Sequence, residues 1–165
     1  MRALVVAGLL AAASAVHAAD VAGEVRAFED AFAKACNAGD VAAAKALYAD
    51  DARLVWPGAA EEAKGAAEIE KVLVRGCKDV KDLKLEMRSL DVIPLDDTHV
   101  ATVGRWDDSF TTPAGRHVSA QVRTTEVLVK QDGAWKYLVD HASVGLPAGP
   151  ARRPEERRPL LRRRG

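Results

Sequence analysis

His141, Asp108 and Arg123 are the side chains of this sequence whose types could carry chemistry together. A histidine or a desolvated aspartate can serve as a general base, and a guanidinium can polarise a carbonyl or grip a carboxylate. Whether they meet depends on strand register, which the turns predict. "KQDGA" (residues 130–134) fits a three-residue hairpin loop with Gly133 in the left-handed position. That places Lys130 opposite Ala134 and, counting back, Val129 opposite Trp135, Val127 opposite Tyr137 and Arg123 opposite His141. A tight turn around Pro113 and Ala114 sets Trp106 against Gln121 and Asp108 against Ser119 on the same face. The candidate site is then Trp106, Asp108, Gln121, Arg123 and His141, with Phe32, Tyr48 and Trp56 supplied from the helical side. Apolar walls with a few convergent polar groups describe a small-molecule site. Plainer roles stand beside these: Arg123 with Asp108 as a buried ion pair, and His141 as a satisfied core histidine. Alternation along the strand turns Asp140 to the face opposite His141.

The elements that must position these residues are legible from periodicity. Val21, Val25, Phe28, Phe32 and Cys36 recur at helical spacing, and Asn37, Ala38 and Gly39 supply a stop. Asp40 caps a second short helix whose apolar side includes Val41, Ala44, Leu47 and Tyr48. A strand at Leu54–Trp56 and a Pro57-Gly58 turn lead to a third helix, "GAAEIEKVLVRGC", with Ile69, Val72 and Leu73 inward and its end at Gly76. From Asp82 onward four long β-rich segments are separated by turn signals at Asp96-Asp97, Pro113-Ala114-Gly115 and Asp132-Gly133. Helices followed by an antiparallel meander predict an α+β domain with helices covering one face of a curved sheet.

At 165 residues the chain is sized for one domain. It opens on Arg2 and an apolar run from Ala3 to Ala13, with Val16 and Ala18 as the small residues of a cleavage site. Residues 1–18 therefore read as a secretory signal peptide, and the mature protein as periplasmic or secreted. The domain is expected over residues 19–147, and residues 148–165 as a disordered tail rich in Arg and Pro. The last fifteen residues hold seven Arg and two Glu, whereas residues 19–150 carry a net charge of −6. A basic arm of this kind could touch anionic surfaces weakly or simply be solvated, and an acidic globule is a poor partner for nucleic acid. Cys36 and Cys77, an even pair in an exported chain, could form a disulfide or be two buried small side chains. Neither has zinc-ligand spacing, and no P-loop, dinucleotide fingerprint or HExxH motif occurs, so no metal or cofactor is expected.

Three strings carry a family resemblance: "FAKACNAGDVAAAKALYADDARLVWPG", "KGAAEIEKVL" and "RTTEVLVKQDGAWKYLVDHAS". They resemble the nuclear-transport-factor-2-like superfamily, in its SnoaL-like and ketosteroid-isomerase-like branch, over most of residues 21–146. The resemblance implies a cone-shaped fold with a deep pocket between helices and sheet. It implies no single activity, since such folds host isomerases, cyclases, dehydratases and non-catalytic domains. Aligned without gaps through "NAGD" and "ADDA", the isomerase's oxyanion tyrosine falls on Phe32 and its carboxylate base on Trp56. Neither side chain can replace the group it stands for. Three functions follow as expectations. The first is an exported domain, expected as a homodimer, that binds a small, largely apolar molecule without standard isomerase chemistry. The second is a cofactor-independent lyase, isomerase or cyclase with His141 or Asp108 as base, and the third is a structural dimerisation module.

Overall fold

The computed structural model describes residues 3–57 and 62–145, with residues 3–19 described as backbone alone. The cleavage site expected after Ala18 falls where only backbone is described, and the expected Arg-rich tail lies outside the described residues. Helix α1 runs Ala3–Asn37, α2 Val41–Lys45 and α3 Gly65–Leu73, the last continuing into a π-helical turn, Val74–Lys78. The strands are β1 Tyr48–Val55, β2 Ala63–Lys64, β3 Lys81–Pro94, β4 His99–Thr111, β5 His117–Gln131 and β6 Ala134–Val144. They form a curved, unclosed sheet in the order β2-β1-β6-β5-β4-β3, antiparallel throughout except for the parallel β1–β6 pair.

The buried stripe of α1, Val25, Phe28, Phe32, Ala35 and Cys36, follows the spacing that predicts it and lies on the inward face of the sheet. The helix ends where Gly39 adopts a φ of +68°, a conformation that costs a glycine little. The Asn37 side chain then donates to the Leu85 carbonyl at 3.1 Å and accepts from the Leu85 N–H at 2.7 Å. This amide pairs with edge strand β3 as a neighbouring strand would, tying the helix end to the sheet. Asp40 caps α2 by accepting from the Ala43 N–H at 2.9 Å. Helix α2 stops sooner than its apolar pattern suggests, and Tyr48 opens β1 instead of closing the helix. The Tyr137 N–H donates to the Leu47 carbonyl at 2.8 Å, so pairing with β6 overrides helical periodicity there. Cys36 and Cys77 are joined by a disulfide that fastens α1 to the π-helical turn. Among the described residues no helix is long and apolar enough to cross a membrane.

Register is where sequence and structure part. Asp132 and Gly133 both have positive φ, 51° and 79°, the pattern of a two-residue type I′ turn, so Gln131 pairs with Ala134. A bulge at Leu138 then shifts the β5–β6 ladder by a further residue, and Arg123 stands opposite Ser143, not His141. Across the preceding hairpin Trp106 opposes Val122 and Asp108 opposes Ala120, one residue away from the expected pairing with Gln121 and Ser119. Each one-residue slip exchanges the two faces of a strand.

Candidate functional site

The inward face of the sheet is composed by these slips. β4 contributes Val100, Thr102, Gly104, Trp106 and Asp108; β5 contributes Ala120, Val122, Thr124, Glu126 and Leu128. Because the bulge at Leu138 inserts one residue, both Tyr137 and Asp140 on β6 point inward, which strict alternation forbids. Helix α1 adds Glu29, one turn beyond Val25 and three residues before Phe32, so this carboxylate sits within the apolar stripe. Glu29, Glu126 and Asp140 are 0%, 3% and 3% exposed. Three carboxyl groups are thus buried under one helix.

Their partners are phenols, one indole, hydroxyls and, for Glu29 and Glu126, each other, rather than cations. Tyr48 donates to Asp140 Oδ2 at 2.6 Å, and Trp56 Nε1 donates to the same oxygen at 3.1 Å. Tyr137 donates to Glu29 Oε2, and Thr102 to Glu126 Oε2. Without a nearby positive charge, burial dominates the protonation of all three acids. Burial, reinforced by the charge of Glu126, holds Glu29 well above the usual carboxylate range. Burial raises Glu126 as well, partly opposed by the Thr102 hydroxyl. Asp140 is pushed up to about 7 by burial and then by Glu126. Burial also raises Tyr48 and Tyr137, which keeps both phenols protonated as donors. A buried carboxyl that retains its proton can donate a hydrogen bond as well as accept one.

Aromatic rings enclose this acid cluster. Phe32 lies 6.0 Å from Trp56, 6.3 Å from Tyr48 and 5.5 Å from Tyr137, centroid to centroid, each contact edge to face. Trp56 is half-buried and rests on Gly76, where an added Cβ would come within 2.9 Å of its Cζ3. Toward the far ends of β4 and β5, Trp106 and Asp108 continue the inward face. Burial pushes Asp108 up to about 6. Among the described residues the buried Trp106 Nε1 and Asp108 Oδ1 are without a hydrogen-bond partner, whereas Glu29 and Thr124 both interact with Glu126. Among the described residues no group of three His, Cys, Asp or Glu side chains is disposed to hold a metal ion.

The expected constellation is therefore divided. Phe32, Tyr48, Trp56, Trp106 and Asp108 are on the inward side, whereas Gln121, Arg123 and His141 are exposed on the outward face. Arg123 makes no ion pair with Asp108; its cross-strand neighbours are Arg105 and Ser143. His141 stands opposite Thr125 and beside Val55, away from the interior, so it is neither a core histidine nor a base for a ligand there. A polar depression of about 430 Å³ is lined by Lys84, Glu86, Asp107, Ser109, Ser119 and Gln121 from the outward face and by Asp108 and Ala120 from the inward one. Its outward charges are matched, Lys84 with Glu86 and Arg88 with Asp107, whereas Asp108 has no ion-pair partner among the described residues. Glu29, Glu126, Asp140 and Tyr137 were not among the expected site residues. For Glu29 a signal existed, a carboxylate in the middle of an apolar helical stripe; for Glu126 and Asp140 it depended on register.

A helix-covered, unclosed sheet with acids and aromatic rings on its inward face defines the α+β cone of the nuclear-transport-factor-2-like proteins. The chain belongs to the SnoaL-like domain family, whose profile matches residues 25–147. Solved structures agree. A Xanthomonas campestris protein assigned provisionally as a calcium/calmodulin dependent protein kinase II association domain is 27% identical, with a TM-score of 0.68 over 76% of this chain and 88% of its own. A ketosteroid isomerase-like protein from Erwinia carotovora atroseptica is 24% identical, with a TM-score of 0.66 over 76% and 96%. An NTF2-like superfamily protein from Salmonella enterica serovar Typhimurium is 13% identical, with a TM-score of 0.71 over 82% and 98%. No curated protein matches the chain.

Proposed function

We propose that this chain is an exported domain that binds a small, largely apolar molecule against the inward face of the sheet. The observation that carries this reading is that Trp106 Nε1 and Asp108 Oδ1 are buried there without a partner, since buried polar groups are nearly always hydrogen bonded and each one left alone is costly. Aromatic walls from Phe32, Trp56 and Trp106 supply apolar contact. The Cys36–Cys77 disulfide supports export, because such bonds persist in oxidising compartments. The test is native mass spectrometry of the protein purified from its own host. A small-molecule adduct that leaves on denaturation is expected; bare protein from every preparation, with no thermal shift against neutral ring compounds, counts against binding.

Acid–base catalysis is a second reading, favoured by Asp108. It lies half-buried on the inward face, and a carboxyl of pKa about 6 can exchange a proton near neutrality. With His141 on the outward face, Asp108 is the candidate base that retains access to a ligand. Turnover that survives Asp108→Asn would remove this reading and leave binding intact. Exposed Val55, Ile93 and Val103 on the outward face support self-association as a homodimer, which sedimentation of the wild type and of Val103→Lys would test.

A further inference from the structure

Glu126 stands directly opposite Thr102 on β4 and Asp140 on β6, so the sheet alone sets two acids side by side, an arrangement that repels when both are charged. Glu29 meets them from α1, fully buried, and its carboxyl is a hydrogen-bond neighbour of Glu126. Its Oε2 accepts from the Tyr137 hydroxyl, and no donor among the described residues reaches its Oε1. Glu126 accepts from the Thr102 hydroxyl, with Thr124 beside it. The other titratable groups that face this pair are Tyr137 and Asp140 on β6 and Tyr48 on β1. Lys130 on β5 is held nearer the start of the helix, by Glu24 at 2.6 Å. The remaining elements packed against α1 turn apolar groups to the core: Leu83 and Leu85 from β3, Ala44 from α2 and the disulfide from the π-helical turn.

Two carboxylates cannot hydrogen bond to each other, since each only accepts, whereas a carboxylic acid donates. The geometry points to one proton shared by this pair, held on Glu29 Oε1 and donated to Glu126, as a latch that closes α1 onto the sheet. Without that proton two buried charges face each other with no cation to offset them. The far end of the helix is fastened independently, by the Cys36–Cys77 disulfide and by the two Asn37–Leu85 hydrogen bonds. That end is the hinge, and the segment bearing Val25, Phe28 and Phe32 is what the latch releases. A released helix lets Glu29 ionise at its ordinary value, 4.5, while the closed helix keeps the proton to higher pH. Opening therefore grows as pH rises. Phe32 is a wall of the inward face, so the latch also sets access to that face, a consequence that rests on the reading that a small molecule binds there.

The test is quenched hydrogen exchange of the full chain between pH 6 and 9, comparing amides of residues 21–32 with those of β4 and β5. Protection of the helix is expected to fall about tenfold per pH unit, one proton per opening, until the closed pair itself ionises, while β4 and β5 keep theirs. Glu29→Gln puts an N–H donor where the acid proton was, and Glu126→Gln offers the same bond to an ionised Glu29. Each should remove the slope, except for any part due to Asp140, which ends at about 7. A flat wild-type profile, a slope above pH 7 that survives both variants, or parallel loss of protection from helix and sheet overturns the latch. Where a glutamine variant fails to fold, the wild-type slope and its confinement to α1 decide. No thermal shift with neutral ring compounds at pH 6 would remove the consequence for access and leave the latch standing.

Discussion

Tyr48 and Asp140 are hydrogen bonded at 2.6 Å across 92 residues of sequence. The bond joins the first residue of β1 to the inward side of β6, and it exists because the bulge at Leu138 turns Asp140 into the interior. A carboxylate there meets a phenol and an indole but no cation, so it titrates late, at about 7.

Stability should consequently fall as pH rises. The folded state holds the Asp140 proton until about 7, whereas the unfolded chain releases it near 3.8. The native state therefore binds more protons between those values, and unfolding free energy drops across that window, then levels off. Asp140→Asn keeps an acceptor for Tyr48 and Trp56 while removing the charge. Urea unfolding at pH 4, 6 and 8 should show the drop reduced in the variant by an amount on the order of a few kcal/mol; identical pH profiles would mean that Asp140 is not desolvated.

Gly76→Ala should displace Trp56. Its φ is not in the left-handed region, so the backbone tolerates alanine, but the new methyl would come within 2.9 Å of the indole ring. The expected cost is about 1–3 kcal/mol, typical of overpacking. It should be accompanied by an upfield move of the Trp56 indole N–H as its bond to Asp140 lengthens. Wild-type stability with an unmoved resonance would show that the turn yields instead.

Opening the disulfide should cost roughly 3–4 kcal/mol on the loop-entropy estimate for the segment that separates Cys36 from Cys77. The comparison is denaturant unfolding with and without reductant, repeated on Cys36→Ala/Cys77→Ala. The double variant should ignore reductant altogether, and a wild type that also ignores it would contradict the bond.

At the β5–β6 turn, Gly133→Ala should cost about 1 kcal/mol despite empty space around the position, because the strain lies in its positive φ. Asp132→Asn, also suited to the left-handed region, should be close to neutral in thermal unfolding. Equal losses from both would point to side-chain contacts rather than backbone conformation.

The α+β architecture, the order of its elements and the helix-one stripe were legible in local sequence, because periodicity and stop signals act within a few residues. Val25, Phe28, Phe32 and Cys36 needed nothing distant to be read as one buried face. The family likeness was legible for the same reason, in contiguous strings within residues 25–147. Tyr48 was misread as helical because a backbone bond from Tyr137 to Leu47, supplied by a distant strand, outweighs local apolar spacing. Which polar groups face inward was a tertiary matter. A two-residue turn in place of three and one bulged leucine move Arg123 and His141 outward and bring Asp140 inward, to face the helix that carries Glu29. Side chains in a strand alternate with a period of two, so an error of one residue in a turn inverts a whole strand face. Only the packed sheet, which adds up every turn and bulge, decides which carboxylates share the interior.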